Sequence, residues 1–290
     1  MNDHDVCPAC LNPLVAGLRD WHLQCTNCTY EGSSLRVEID VAGSVEILDE
    51  QLREEGLSHL RRSNFQMLIA RLPIDDRAGR SRPRKLLDVG CAHGWFLQLA
   101  GSEYEVLGIE PDSRSAALAA SHGLPVRQGF FPHALESAES FDVIVFNDVI
   151  EHIPDIGSAL TACIRHLAPG GRVILNAPAR TGILYRVSRF LARSGFPASF
   201  ERMWQKGFPS PHVHYLDEAS VRTIAARSGL RLVDSYTLPT LSTHGLYARI
   251  RYDRSVSRLK AATITGAMVI LAPFLRFLPA DIKVWTLKAS

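Results

Sequence analysis

From Lys85 onward, short apolar runs alternate with longer amphipathic ones. The short runs predict strands at Lys85–Val89, Glu105–Ile109, Pro125–Gln128, Phe141–Phe146, Arg172–Asn176, Arg231–Tyr236 and Ile282–Leu287. Helical spacing falls between most of them, after Gly94 and over 113–121, 156–167 and 217–228. Apolar strands alternating with helices imply a mostly parallel sheet covered on both faces. The predicted class is therefore α/β, a doubly wound sheet of seven strands. Upstream, Ile47, Leu48, Leu52, Leu60, Phe65, Leu68, Ile69 and Leu72 fall roughly on one helical face, with Gly56 expected to interrupt the helix. Residues 73–85 are polar and basic with two prolines, a linker signature.

The first 45 residues read differently. Cys7-Pro8-Ala9-Cys10 and Cys25-Thr26-Asn27-Cys28 form two Cys-x2-Cys knuckles fourteen residues apart. Four thiolates so spaced close into a tetrahedron, which predicts structural zinc on Cys7, Cys10, Cys25 and Cys28. Such a site holds together a module too small for its own core. Three regions follow: a zinc-ribbon-like module over 1–45, a helical connector and linker over 46–84, and an α/β domain over 85–290. Cys91 and Cys163 lie outside the knuckles and are expected to pack.

The first strand of the α/β domain runs into Asp88-Val89-Gly90-Cys91-Ala92-His93-Gly94 and then an apolar helix start. Glycine lets backbone approach a ligand closely, and the N–H groups of a helix start face it. The next strand ends at Glu110, 22 residues after Asp88, where a carboxylate accepts both hydroxyls of a ribose. A nicotinamide site is the natural rival. The loop is Gly-x-x-x-Gly rather than Gly-x-G-x-x-Gly, and Asp88 would stand near an anionic pyrophosphate. A ligand carrying an amine and a sulfonium suits that carboxylate better.

With these come Gly108-Ile109-Glu110-Pro111, Phe141 to Ile153 with its Asn147-Asp148-Val149-Ile150-Glu151-His152 run, and Leu167-Ala168-Pro169-Gly170-Gly171-Arg172. Together they resemble the ordered motifs of class I S-adenosylmethionine-dependent methyltransferases over about residues 85–178. The resemblance implies a Rossmann-like methyltransferase fold and S-adenosylmethionine as cofactor. It places the methionine part at Asp88 and Gly90, within a loop that includes Cys91, Ala92 and Gly94. It places the ribose at Glu110, beside Pro111, and extends the cofactor site to Asn147. The family often has an adenine-facing acid after the third strand, whereas this chain reads Gln128-Gly129-Phe130. Adenine recognition is then expected from backbone and stacking on Phe130.

A sulfonium is an activated methyl donor, so the protein's task is chiefly alignment of a nucleophile. His152, with Glu151, is the candidate general base after the fourth strand; the alternative is that the pair stabilises a helix start. The long connection over 180–215 carries Arg180, Arg186, Arg189, Arg193, Arg202 and Lys206 against Glu201 alone, with many aromatics. It reads as a substrate cap including Arg180, Tyr185, Trp204, His212, His214 and Tyr215, suited to an anionic or amphiphilic acceptor, with a solvated basic helix as the alternative. His212 and His214 are read as lining the acceptor pocket, since no further carboxylate or cysteine accompanies them as a metal set.

The acceptor expected is a small molecule or a lipid- or sugar-linked intermediate. The alternatives are RNA, since zinc ribbons also precede ribosomal RNA methyltransferases, and a catalytically silent cofactor-binding partner. Nucleic acid is disfavoured by the ribbon's own charge, with only Arg19 and Arg36 against Asp3, Asp5, Asp20, Glu31, Glu38 and Asp40. The net charge of +2 adds no pull toward nucleic acid. Residues 261–278 are apolar behind Lys260. They predict a helix buried on the sheet, with peripheral contact to an anionic membrane as the alternative. The uncharged run is shorter than the ~20 residues a span needs. An acidic start without an apolar signal core predicts a cytoplasmic chain, possible membrane association aside. Oligomeric state is not legible.

Overall fold

The computed structural model describes residues 6–39, 50–72, 83–240, 242–251, 256–275 and 277–290. Ile47, Leu48 and most of the expected linker lie outside the described residues.

Each expected strand forms. The α/β sheet comprises β4 (Lys85–Val89), β5 (Glu105–Glu110), β6 (Val126–Gln128), β7 (Phe141–Asn147), β8 (Leu167–Pro178), β10 (Leu230–Leu238) and β11 (Ile282–Ala289). Their order is β10-β11-β8-β7-β4-β5-β6. The pairs β7–β8, β4–β7, β4–β5 and β5–β6 are parallel, and β11 runs antiparallel between β8 and β10. The chain steps outward from β4 through β5 to β6, then returns to β7 on the other side of β4. That reversal opens a crevice at the carboxyl ends of β4 and β7, where ligands settle in open α/β sheets.

Alternate residues of one strand feed opposite cores. Leu86, Val143, Val145 and Ile174 pack with Phe65, Leu68 and Ile69 of α1 (Glu50–Ile69) and Phe96 and Ala100 of α2 (Trp95–Ala100). Leu87, Ile144, Phe146, Val173 and Leu175 face α4 (Ile156–His166) and α7 (Glu218–Arg227). Asp217 starts α7 with a capping box that includes Ser220. Helix α3 (Ser113–Ser121) follows β5, capped by Asp112. Helix α1 runs unbroken through Gly56, contrary to expectation; one glycine costs a helix only about 1 kcal/mol. Leu60, Phe65, Leu68 and Ile69 on its face are buried, which outweighs that cost.

The N-terminal module forms β1 (Leu14–Ala16), β2 (His22–Cys25) and β3 (Glu31–Ser33), an antiparallel sheet completed by β9 (His214–Tyr215). The ribbon thus shares a sheet with the long connection after β8. That connection also holds α5 (Ile183–Arg193) and α6 (Ala198–Met203). Helix α8 (Leu246–Arg251) precedes α9 (Arg258–Leu275). The expectation that α9 is buried fails: among its described side chains only Ala261 is buried, while Leu259, Ile270 and Phe274 stand exposed. It packs on α8 rather than the sheet, whose faces α1, α2, α4 and α7 already cover. Among the described residues, no helix is long and apolar enough to cross a membrane.

Gly108 of β5 shows how closely the fold presses on its loop. A Cβ there would stand 2.5 Å from Cys91 Sγ and 2.7 Å from Leu97 Cδ1. Gly108→Ala is expected to cost about 1–3 kcal/mol by overpacking, read as a lower urea midpoint. Cys91→Ala in the same chain should recover part of it. An unchanged midpoint for the single variant would show that the loop yields freely.

Candidate functional site

Strands β4, β5 and β7 end side by side, so their terminal polar residues converge. Asp88 is buried in β4, and Asn147 at the end of β7 donates to its Oδ1 at 3.3 Å. Burial pushes the Asp88 carboxyl up to about 8, the Asn147 hydrogen bond opposing and the Glu110 charge adding to the rise. Gly90 has φ 71°, and a Cβ there would meet Val149 Cγ2 at 2.6 Å. The turn after β7 therefore rests against the glycine loop. Ala92 (φ 46°) and Gly94 (φ 79°) also adopt left-handed backbone. Cys91 is buried against Gly108, a packing role.

Glu110 closes the loop from the next strand. Its Oε2 accepts from the Ala92 backbone N–H and its Oε1 from that of Asp112, both at 2.8 Å. Both oxygens thus brace the loop and the start of the next turn, at the strand end where the sequence placed a ribose-facing acid. Pro111 follows, half-buried. Phe130, after β6, is 58% exposed and free to stack, while Phe131 meets Phe146 edge-on at 5.6 Å.

The 3-10 turn Ile150–His152 follows β7. Glu151 is buried, and neither carboxylate oxygen has a hydrogen-bond partner. Burial raises its carboxyl well above the ordinary range, and Asp148 adds to the shift. Asp148 pairs with Arg61 of α1 at 3.7 Å, bringing the connector to this edge. His152 sets Nδ1 2.9 Å from the Pro211 carbonyl, which makes Nδ1 the donor and leaves Nε2 as acceptor. Burial lowers its pKa. His212, also buried, lies against it with ring centroids 4.9 Å apart. His214 faces away from that pair, its Nε2 donating to the Ile153 carbonyl at 2.8 Å and its Nδ1 meeting Tyr30 Oη of the ribbon.

The remaining cap residues turn inward. Tyr185, Trp204 and Tyr215 are almost fully buried in a cluster with Phe200 and the ribbon's Trp21. Arg180 binds Glu31 at 3.1 Å and Asp217 at 3.2 Å. These four anchor the connection to the ribbon, so their contacts are with protein. Arg186 and Arg193 remain on the exposed face of α5 with Val187 and Phe190.

Glu31 is the residue that sequence reasoning passed over, counted there as one more surface acid. It is buried, and its carboxylate accepts from His22 Nε2 (3.0 Å), Tyr185 Oη (2.5 Å), Arg180 Nε (3.1 Å) and Arg189 Nη1 (2.5 Å). His22 Nδ1 accepts from the Leu18 backbone at 3.0 Å, which fixes Nε2 as the donor to Glu31. The only signal available was its place three residues after Cys28.

The four knuckle sulfurs converge. Cys7 and Cys28 Sγ stand 3.6 Å apart, Cys10 and Cys25 Sγ 3.3 Å, and all four lie within 4.8 Å of one another. Four sulfurs about 2.3 Å from a tetrahedral ion stand about 3.8 Å apart. Backbone N–H groups of Asn27 and Cys28 point at Cys25 Sγ, as in a knuckle that stabilises a thiolate.

A family model described as a methyltransferase domain matches residues 57–235. The chain belongs to this family, the class I S-adenosylmethionine-dependent methyltransferases. This methyltransferase is 32% identical over 111 residues to a ubiquinone biosynthesis O-methyltransferase of Cronobacter sakazakii, covering 36% of this chain and 46% of that enzyme. The match thus spans about half the length of that relative. A cyclopropane synthase of Mycobacterium tuberculosis shares the fold at TM-score 0.56 and 18% identity, covering 87% of this chain and 96% of that one. A S-adenosylmethionine-dependent methyltransferase of Archaeoglobus fulgidus does so at 0.52 and 16%, covering 83% and 99%. The donor set fits the family's cofactor: Asp88, desolvated with one amide donor, gains from a cationic ligand, and Glu110 brings a carboxylate to the same edge of the sheet.

The Glu31 network has a definite pH signature. Burial alone would raise its pKa, but the hydrogen bonds from His22 and Tyr185 and the charges of Arg189 and Arg180 hold it at about 2. A depressed carboxylate stabilises the fold above the unfolded value of about 4.5 and loses that stabilisation as pH falls toward 2. Glu31→Gln should therefore cost about 2–4 kcal/mol at neutral pH. The gap from the unaltered chain should narrow below pH ~4.5 in denaturation curves. A gap that is independent of pH would detach the effect from this charge.

Proposed function

We propose that this methyltransferase moves a methyl group from S-adenosylmethionine to an oxygen of a small or lipid-linked acceptor. The observation that carries the reading is the meeting of Asp88, Asn147 and Glu110 around the left-handed loop Gly90–Gly94 at the sheet's switch point. When bound, the cofactor supplies an activated methyl. The chain's own residues hold and orient: Asp88 toward the amine and sulfonium end, Glu110 at the ribose, Phe130 at the adenine. Cys91, Ala92, Gly94, Pro111 and Asn147 shape the pocket between them.

The acceptor enters, on this reading, beside the turn Ile150–His152, which lies against the glycine loop through Val149. His152 Nε2 is the lone pair placed to receive an acceptor hydroxyl. The O-methyltransferase relatives favour an oxygen acceptor. The exposed face of α5, with Arg186, Val187, Phe190 and Arg193, favours an amphiphilic one. We assign zinc to Cys7, Cys10, Cys25 and Cys28 in a module over 1–45, with 46–84 as connector and 85–290 as the methyltransferase domain. The cap over about 180–215 is held to the ribbon through Glu31.

Two outcomes test the cofactor site. With Asp88 near 8 in the free protein, a cationic ligand favours its ionised form and releases a proton on binding. Affinity should then weaken about tenfold per pH unit below 8 in calorimetry, a slope Asp88→Asn abolishes. Glu110→Gln should weaken cofactor binding about 10- to 100-fold without changing zinc content. A flat pH profile, or unchanged affinity for Glu110→Gln, removes the respective assignment. The acceptor class is tested by incubating cell extract with enzyme and deuteromethyl-labelled cofactor. Label is expected in a small molecule or lipid; label appearing in RNA alone would overturn the choice of acceptor.

A further inference from the structure

Glu151, His152 and His212 meet although 60 residues of chain separate the turn after β7 from the run into β9. One ligand atom of each lies within 4.8 Å of the other two. Glu151 is the telling member: it is 1% exposed, and both oxygens lack a hydrogen-bond donor. A carboxylate left so in a protein interior is among the costliest arrangements a fold can keep. His152 Nε2 lies 3.9 Å from Oε1. Because Nδ1 of that ring donates to the Pro211 carbonyl, Nε2 turns a lone pair toward the carboxylate.

With Glu151 ionised, the carboxylate oxygen and the His152 Nε2 lone pair face one another as two acceptors. His212 adds a second imidazole, with Nε2 2.9 Å from the Gln205 amide and Nδ1 without a hydrogen bond. The backbone carbonyl behind His152 is the kind of acceptor that orients a metal-bound histidine; a half-turn of the Gln205 amide, which brings its oxygen to His212 Nε2–H in place of its nitrogen, does the same for His212 and frees the Nδ1 lone pair. The Val213 backbone N–H, 2.8 Å from the Glu151 carbonyl, ties the two segments at this point.

We propose that Glu151, His152 and His212 bind a divalent transition-metal ion, distinct from the one assigned to the cysteines. Two imidazoles and a carboxylate suit Zn2+, Fe2+ or Mn2+; Mg2+ and Ca2+ favour all-oxygen sites. Ligands about 2.0–2.2 Å from one ion stand about 3–3.5 Å apart, so small side-chain shifts close the site. With the ion bound, His152 Nε2 is a ligand and no longer a base, and the three protein ligands leave a position at which an acceptor oxygen meets the ion instead. The presence of the ion stands on this geometry alone; its use at an acceptor rests on the methyl-transfer reading above. His212, read from sequence as a pocket histidine without metal partners, gains them because the fold delivers Glu151 and His152 to it.

The test is metal content of the full chain, purified without chelator and equilibrated with Zn2+, Mn2+ or anaerobic Fe2+, then desalted. About two equivalents per chain are expected with at least one of these ions, one at the cysteines and one at the new site. Glu151→Gln and His212→Ala should each lose about one equivalent while Co2+-loaded protein keeps the thiolate charge-transfer bands of the cysteine site. Gln205→Ala, which leaves all three ligands in place, should weaken the second ion about 10- to 100-fold. One equivalent or less with all three ions in the unaltered, folded chain overturns the proposal. So does a second equivalent that survives both ligand variants. Calorimetry with S-adenosylmethionine on the same samples separates the two readings. Cofactor binding without a second ion removes only the metal site; a second ion without cofactor binding removes only the methyl-transfer reading.

Discussion

The parallel seating of β4 between β5 and β7 is the constraint on which the rest of the molecule depends. Five residues long and buried on both faces, β4 has no freedom to slide, since a one-residue slip would exchange Leu86 and Leu87 between two separate cores. Its register places Asp88 opposite Gly108 and Val145, two residues before the ends of both neighbouring strands. Glu110 and Asn147 therefore arrive at the same edge as the glycine loop without any loop having to reach for them. Geometry that a binding site needs to within a fraction of an ångström is set here by backbone ladders rather than by side-chain choice.

The cap is positioned by a different device. A long connection over a sheet edge would ordinarily be mobile. Here one buried carboxylate, Glu31, takes hydrogen bonds from α5 and from the strand exit at Arg180, and β9 adds a strand to the ribbon. Paired buried charges contribute little net stability against an apolar replacement, but they are intolerant of misplacement. The Glu31 network thus fixes the long connection against the ribbon.

The sheet was legible because apolar runs and their spacing report burial directly, and all seven strands lie where the pattern puts them. The left-handed loop Gly90–Gly94 was legible for a related reason: its residues are neighbours in sequence, so spacing and geometry coincide. The cap was less so. Arg180, Tyr185, Trp204 and Tyr215 read as ligand-facing because arginine and aromatic side chains look alike whether they face a ligand or another part of the chain. Their partners, Glu31, His22 and Trp21, stand about 150–190 residues away, and nothing local announces the pairing. Helix α9 was misjudged because an apolar run signals an affinity for apolar surroundings and not that the fold supplies them. The meeting of His212 with Glu151 was invisible for the same reason of separation.

The carboxyl edge of the sheet gathers several acids close together. Asp88, Glu110, Asp148 and Glu151 all stand at or just beyond the ends of β4, β5 and β7. Among the contacts described, Arg61 is the guanidinium paired with one of them, Asp148. Like charges in a poorly screened site raise one another's pKa, and the directions at Asp88 and Glu151 follow that rule once burial has acted. A fold that concentrates acids in this way is less stable empty than it would be with apolar residues there, and it recovers the difference when a cation arrives. On the readings proposed above, the sulfonium and amine of S-adenosylmethionine would answer the charge at Asp88, and a divalent ion the unpartnered oxygens of Glu151. Selection of ligands by charge thus begins before any shape is read, since an anionic dinucleotide would meet the same acids as a barrier.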